Sequence, residues 1–436
     1  MFIDGRGGVR VPSTRVWIVA VAAIFGAFLI GLQIASFRLG FDGPLYSLLR
    51  DYVATPKAPE ALWAGLGLAM VGLNNRHRVI ALSVAAGIDV VFLAIRVLLG
   101  SQLAIGNGAL IVLTGLAVVA MWRWTGAERT TALGGIALGA LLILASKIGD
   151  SWLHVTAITR ANVLDEYVMM ADHALGQPSW VVGRVIDATR PIPYALLHLV
   201  YIELSVAAMV VAIYQLRNVR SGAWPRHFLV RTFIVLGITG PLLYVLFPVV
   251  GPVYAFGTQG DGFQVGNLFP HVMPPTSWLP RPIPFDHFTP RNCMPSMHTA
   301  WALAVFIHSR QGPRWLRWGG AFWLVGTLTA TLGFGYHYGV DLVAGAVLCL
   351  AVESALRDPE RGWDRTRVML VGGGAALLAA LLWSFRYLAV PMAHLPELFG
   401  PVIVALLAAY SLAFYVTFFA RSRTVATSGV KLQVDT

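Results

Sequence analysis

An all-α, polytopic membrane protein of about twelve transmembrane helices is the fold class that this sequence predicts, and three observations predict it. Of the 436 residues, 57% are hydrophobic and only 12% are charged, about half the charged share of a soluble domain. Apolar runs of about 17–25 residues, the length of a bilayer-spanning helix, recur along most of the chain. Basic residues gather in every second connection between those runs.

The runs fall near residues 15–37, 60–74, 79–99, 108–122, 131–148, 193–214, 228–250, 294–309, 315–333, 338–356, 368–388 and 399–420. The first is too long for a signal-peptide core and lacks a small-residue cleavage site, so it reads as a retained span. The second, LWAGLGLAMVGL, is short. With the N-terminus inside, twenty-one of the 32 Lys and Arg residues lie on the inner side and nine on the outer, with Arg96 and Arg386 inside spans. That asymmetry obeys the positive-inside rule and puts both termini in the cytoplasm. The net charge of +11 is therefore topological, and a nucleic-acid partner is excluded. Cys293 falls in an outer loop, whereas Cys349 lies about 12 Å down a span at 1.5 Å per residue, so no disulfide joins them.

Two outer loops are long. In the stretch 149–192, EYVMMADHAL suits a helix lying along the membrane surface. The stretch 251–294 is rich in Pro and Gly and predicts no regular element. Loops of this length in a compact protein are usually functional, so function belongs to the outer face. Asp89 and Arg96, seven apart in the third span, suggest a mutually neutralising pair that locks the first four spans together. Glu203 and Glu353 are structural or line a cavity. GGIALGA permits close helix packing.

Two stretches carry chemistry. RNCMPSMHTAW (Arg291–Trp301) puts His298 at the outer end of the eighth span, and TLGFGYHYGVDLVAG (Thr331–Gly345) puts His337 and Asp341 at the outer start of the tenth. A separation of thirty-nine positions allows one span in and one back, so topology returns both His residues to the same face. His337 and Asp341, four apart, share one side of a helix. An Asp that accepts a hydrogen bond from one imidazole nitrogen fixes the tautomer and leaves the other nucleophilic. A second His can protonate a leaving group and then activate an acceptor. This set suits phosphoryl transfer without a metal or other cofactor, which is mostly positioning and charge stabilisation. Arg291 is the first cation proposed for the phosphate, with Arg190 on the same side. Ser296 and Tyr336 flank the His pair, and Asp172 either binds a polyol headgroup or braces its loop.

PSMH followed by GYHYGVD resembles the second and third motifs of the type 2 phosphatidic acid phosphatase superfamily. More narrowly it resembles the branch that holds fungal inositol phosphorylceramide synthase, with sphingomyelin synthase more distant. LDEYVMMADHALGQPSW and LLYVLFPVVGPVYAF share the likeness. The resemblance implies a six-helix core with its active site on the periplasmic, extracellular or luminal side. It also implies that His337 forms a phosphohistidine, that Asp341 orients it, and that His298 is the acid and then the base. The sequence departs from the phosphatase pattern at Ala330, Thr331 and Met297, and the first phosphatase motif is absent; RVIDATRP is a near miss in the wrong loop.

The domains expected are 1–146, about four N-terminal spans; 147–356, the lipid phosphotransferase-like core; 357–420, two C-terminal spans; and 421–436, a cytoplasmic polar tail. The function expected is transfer of a phospho-headgroup, such as phosphoinositol, from a phospholipid donor to a lipid or glycolipid hydroxyl within the membrane. Hydrolysis of the same intermediate, by a lipid or polyprenyl phosphate phosphatase, is the alternative. A transporter would show matching broken helices, and a haem protein using both His residues would leave Asp341 and Arg291 without a purpose.

Overall fold

The computed structural model describes residues 14–221, 224–257 and 268–420. Residues 1–13 and the tail 421–436, both expected in the cytoplasm, lie outside them. All twelve apolar runs are helical, because a chain in lipid must satisfy its backbone polar groups internally. The first block holds α1 (Thr14–Arg38), α2 (Pro44–Arg50), α3 (Pro59–Val71), α4 (Asn75–Leu98), α5 (Asn107–Trp122) and the long α6 (Gly126–Thr159). The second holds α7 (Asp165–Asp172), α8 (Pro178–Ala188), α9 (Ile192–Ile202), α10 (Leu204–Leu216), α11 (Leu229–Leu246), α12 (Pro252–Ala255), α13 (Met297–Ser309), α14 (Arg314–Gly333) and α15 (Gly339–Leu356). The chain closes with α16 (Arg365–Tyr387), α17 (Ala389–His394) and α18 (Pro396–Tyr415).

This is an all-α, multi-pass membrane protein. Among the described residues six helices are long and apolar enough to cross a bilayer alone: α4, α6, α11, α15, α16 and the α18 segment. A seventh span exists if α9 and α10, bent by 50° at their break, act as one. Among the remaining runs α14, at 20 residues, is long enough but not apolar enough, whereas α3, α5 and α13 are short. At 13 residues each, α3 and α13 rise only about 20 Å against a hydrocarbon core of about 30 Å.

Each block has an apolar core, one around Leu62, Leu66, Leu110 and Ile136 and a larger one through α10, α11, α13, α15, α16 and α18, and a smaller cluster with Leu68, Leu138, Leu216 and Val230 joins the blocks. Close approach inside the first follows from its small residues. A Cβ on Gly139 would overlap the Gly65 carbonyl, so α3 and α6 pack backbone to backbone.

Three expectations are corrected. EYVMMADHAL does not lie along a surface: Asp165, Glu166, Val168, Met169, Met170, Ala171 and Asp172 of α7 are all buried, because α15, α16 and α17 cover the helix. The Pro-rich stretch does form regular elements, α12 and a strand β2 (Ile283–Pro284) that pairs antiparallel with β1 (Asn162–Val163). Asp89 and Arg96 are both buried but do not pair with each other. Asp89 accepts from Trp63 Nε1 and from the Gly106 and Gly108 backbone N–H groups. Arg96 donates to Ala54 O, Ala104 O and Asn107 Oδ1. Each side chain ties the α4–α5 connection down separately, since that irregular backbone has polar groups to satisfy.

The starts of α13 and α15 meet. The Ser296 N–H donates to the Asp341 carbonyl at 3.1 Å, and Gly345 lies so close to the Ser296 carbonyl that any Cβ would overlap it. That contact holds the two motif-bearing stretches side by side.

Candidate active site

His298 is the second residue of α13. Ser296 caps this helix, its Oγ accepting the Thr299 N–H at 3.2 Å. His337 stands in the bend before α15, where Tyr338 and Asp341 form a capping box: the Asp341 carboxylate accepts the Tyr338 N–H at 2.8 Å. Two helix starts thus present one imidazole each. The rings of His298 and His337 face across 5.9 Å between centroids, at 61° to one another.

The tautomer of His337 follows from its partners. Its Nδ1 lies 2.9 Å from the Cys293 carbonyl oxygen, which can only accept, so Nδ1 carries the hydrogen and Nε2 the lone pair. Asp341 Oδ2 stands 3.4 Å from the same nitrogen. That oxygen is also taken by the Cys293 thiol, which donates to it at 2.6 Å. Burial pushes the His337 pKa down to about 4, against a smaller upward pull from the Cys293 carbonyl. At neutral pH the ring is uncharged and its Nε2 is available. His298 stacks on Tyr201, with centroids 4.3 Å apart and the Tyr201 hydroxyl 3.4 Å from Nδ1.

A buried acidic frame holds this pair. Asp165 accepts the Val250 and Gly251 N–H groups at 3.1 and 2.9 Å and the Tyr338 hydroxyl at 2.8 Å. Gly251 has φ +105 and presses on the Tyr336 carbonyl, a place only glycine fills without strain. Asp172 accepts the Val340 N–H at 3.0 Å, at the N-terminus of α15, and so caps that helix. Desolvation raises the Asp165 pKa to about 6 and the Asp172 pKa to about 8. Asp172, read from sequence as binding a headgroup or bracing its loop, is fully buried and spends one oxygen on this cap; its Oδ2 has no partner among the described residues.

Of the two cations expected at the phosphate, Arg291 is held by a loop and Arg190 lines a cavity beside Tyr336. Arg291 is fully buried and all three guanidinium nitrogens donate to carbonyls, of Arg160, Thr289 and Asp286, so it braces the loop that delivers Cys293. Arg190 pairs with Asp187 at 3.3 Å and lies over the Tyr194 ring at 4.7 Å. With His271 and Tyr336 it lines a polar cavity of about 410 Å³. Tyr336 packs on Tyr201 at 5.0 Å between centroids, and beyond Tyr201 a second cavity of about 590 Å³ reaches His298. The structure therefore brings His298, His337 and Asp341 together, with Ser296 and Tyr336 beside them.

Sequence reasoning missed Cys293 and Tyr201. Cys293 stands five residues before His298, and its thiol and carbonyl face Asp341 and His337 only because the loop folds back. Tyr201, ninety-seven residues from His298, left no local signal.

Among the described residues two groups bring three metal-capable side chains together: Cys293, His337 and Asp341, and, near the other end of the bundle, His227, His308 and Glu353. In the first, the His337 nitrogen facing the group already carries a hydrogen. In the second, Glu353 accepts from His227, His308, Thr232 and Arg357, and the guanidinium 3.1 Å from its carboxylate opposes a second cation. The Gln215 amide, whose oxygen accepts the Leu229 N–H, donates to His308 Nδ1 and leaves His308 Nε2–H for Glu353.

Two facing imidazoles and a carboxylate thus meet at the starts of two helices. Residues 167–355 match the PAP2 superfamily, and residues 15–155 match a domain of unknown function (DUF5933). A PAP2 superfamily domain fits a phosphatase or phosphotransferase of lipid type. No curated protein and no solved structure matches the chain.

Proposed function

We propose that the chain is a lipid phosphotransferase of about twelve spans, with the synthase-like branch as its nearest functional type and its active site on the non-cytoplasmic side. One observation carries this reading: His337 Nε2, freed by the Nδ1–carbonyl bond, belongs to a ring that faces His298 across 5.9 Å. In the reaction the Nε2 lone pair attacks the phosphorus of a phospholipid headgroup while the bond to the departing lipid alkoxide breaks. His298 gives that alkoxide its proton. A lipid hydroxyl then attacks the phosphohistidine, its proton passes to His298, and the N–P bond breaks. Asp341 steadies the charge that His337 gains. Arg291 serves this chemistry through the loop that it braces, and Arg190 meets the headgroup in the polar cavity.

Hydrolysis remains the second reading, favoured by that same cavity, whose polar lining beside Tyr336 admits water to the intermediate. Incubation of the purified chain with phosphatidylinositol labelled in the phosphate, followed by peptide mapping, tests both. A base-stable, acid-labile label on the His337 peptide that moves to an added lipid alcohol is the expected result. Release of inositol phosphate alone supports hydrolysis, and no label on His337 removes the mechanism.

A further inference from the structure

The 590 Å³ cavity beside His298 lies in the seam between the two blocks. The N-terminal block gives it Glu60 and Ala64 of α3 and Ser146 of α6; the catalytic block gives it Glu203, Ala208 and Trp301. Its volume falls within the ~300–1,000 Å³ usual for small-ligand sites. From Tyr201 the lining follows the same wall to Ala212, about 16 Å of rise at 1.5 Å per residue. Most of it is aliphatic, and the polar groups crowd at the His298 end.

Charge decides what fits there. Glu60 and Glu203 line the cavity and no Lys or Arg does. Neither carboxylate side chain makes a hydrogen bond or ion pair among the described residues. Glu203 stands at the break between α9 and α10, where the span bends by 50°, and an ionisable group in a broken membrane helix marks a site by default. Two carboxylates with no cation beside them in the lining repel a phosphate. They welcome a hydroxyl, which can donate to them. On the far side of the Tyr201–Tyr336 contact, the polar cavity carries Arg190 and His271 beside Asp187.

We infer that the seam is the acceptor site: it holds the hydrocarbon chain of an uncharged lipid alcohol, whose hydroxyl meets Glu203 and His298, and the N-terminal block supplies one of its walls. The phosphate-bearing donor approaches from the polar cavity instead. This gives the first block a purpose and explains how one His can serve two chemically different lipids. The inference rests on the transferase reading, yet it can be tested by binding alone.

The experiment photolyses a long-chain alcohol carrying a diazirine with the full chain in nanodiscs, using both the unmodified protein and His337→Ala, and maps the adducts by mass spectrometry. Adducts on the α3 and α10 peptides in both proteins are expected. An excess of unlabelled long-chain alcohol should remove them, and an equal excess of phosphatidic acid should not. Ala64→Phe, which fills the seam from the N-terminal side, should cut labelling at least fivefold. Adducts confined to outward surfaces such as α18, or equal competition by phosphatidic acid in the unmodified chain, overturn the inference whether or not the variant folds. Seam adducts in a protein that never labels His337 uphold the site and reject the enzyme; labelled His337 without seam adducts does the reverse.

Discussion

His337 gives its Nδ1 hydrogen to the backbone carbonyl of Cys293 at 2.9 Å, while the Asp341 carboxylate stands 3.4 Å from the same nitrogen. A carbonyl cannot take up a proton at neutral pH, so it fixes the tautomer without competing for charge. Asp341 is left to balance the positive charge that develops on the ring, and the Cys293 thiol and Tyr338 N–H hold it in place.

This division of labour predicts unequal costs. His337→Ala should lower turnover by at least ~10³-fold, as loss of a nucleophile does. Asp341→Asn should cost about 10–100-fold in kcat with little change in KM. That is less than the ~10⁴-fold seen where the carboxylate alone sets the tautomer. Steady-state kinetics on a phospholipid donor decide it, and equal losses in both variants would return the tautomer to Asp341.

The acidic frame makes a pH prediction. Asp172, raised to about 8 by burial, is protonated in the folded chain at pH 7 and ionised in the unfolded one. Its contribution to stability is complete below pH 3.8 and is lost as pH rises towards 8. Asp165, at about 6, finishes its loss earlier. His337, lowered to about 4, works the other way and only below its unfolded value of 6.5. Between pH 6.5 and 8 Asp172 therefore contributes a downward slope. Thermal unfolding across that window should show a falling Tm, and Asp172→Asn, which keeps the acceptor for Val340 N–H, should flatten it. Parallel slopes in the two proteins would clear Asp172 of the effect.

Much of this site was legible because membrane helices impose strict bookkeeping. A run of about twenty apolar residues moves the chain from one face to the other, so the thirty-nine-residue separation of His298 and His337 returned them to one level. The twelve helical positions follow from the same rule. What stayed hidden lies in irregular backbone. Arg291 looks like a phosphate ligand by its place before PSMH, yet the loop turns its guanidinium onto three carbonyls. EYVMMADHAL has the composition of an interfacial helix, but α16 and α17, outside the motif region, bury it. Asp89 and Arg96 lie on one side of a helix, but each finds backbone partners in the α4–α5 connection before it finds the other.

Arg291 separates bracing from ligation. Arg291→Ala leaves the Arg160, Thr289 and Asp286 carbonyls without their donor, at a cost of about 3 kcal/mol or more. Arg291→Lys offers one compact ammonium that cannot span all three. Both variants should lose Tm and activity together. A normal Tm with a raised KM in Arg291→Ala, recovered by Lys, would instead restore the phosphate role.

The last prediction concerns Glu353, twelve residues along α15 from Asp341 and so about 18 Å away at 1.5 Å per residue. Four donors converge on its carboxylate: His227, His308, Thr232 and Arg357. Glu353→Gln removes the only buried carboxylate beside Arg357 in this cluster and turns an amide N–H towards groups that are themselves donors. Loss of one partner from such a buried pair costs about 3–5 kcal/mol. At about 2–4 °C per kcal/mol for a domain of this size, Tm should fall by about 10 °C. The fraction that remains folded should keep turnover within about threefold at 20 °C, because the rings of His298 and His337 lie at the other ends of the same helices. Added zinc should not raise the Tm of the unmodified chain, since Arg357 occupies the side from which a cation would approach. A zinc-dependent rise that Glu353→Gln abolishes would make this cluster a metal site and overturn the hydrogen-bonding account of it.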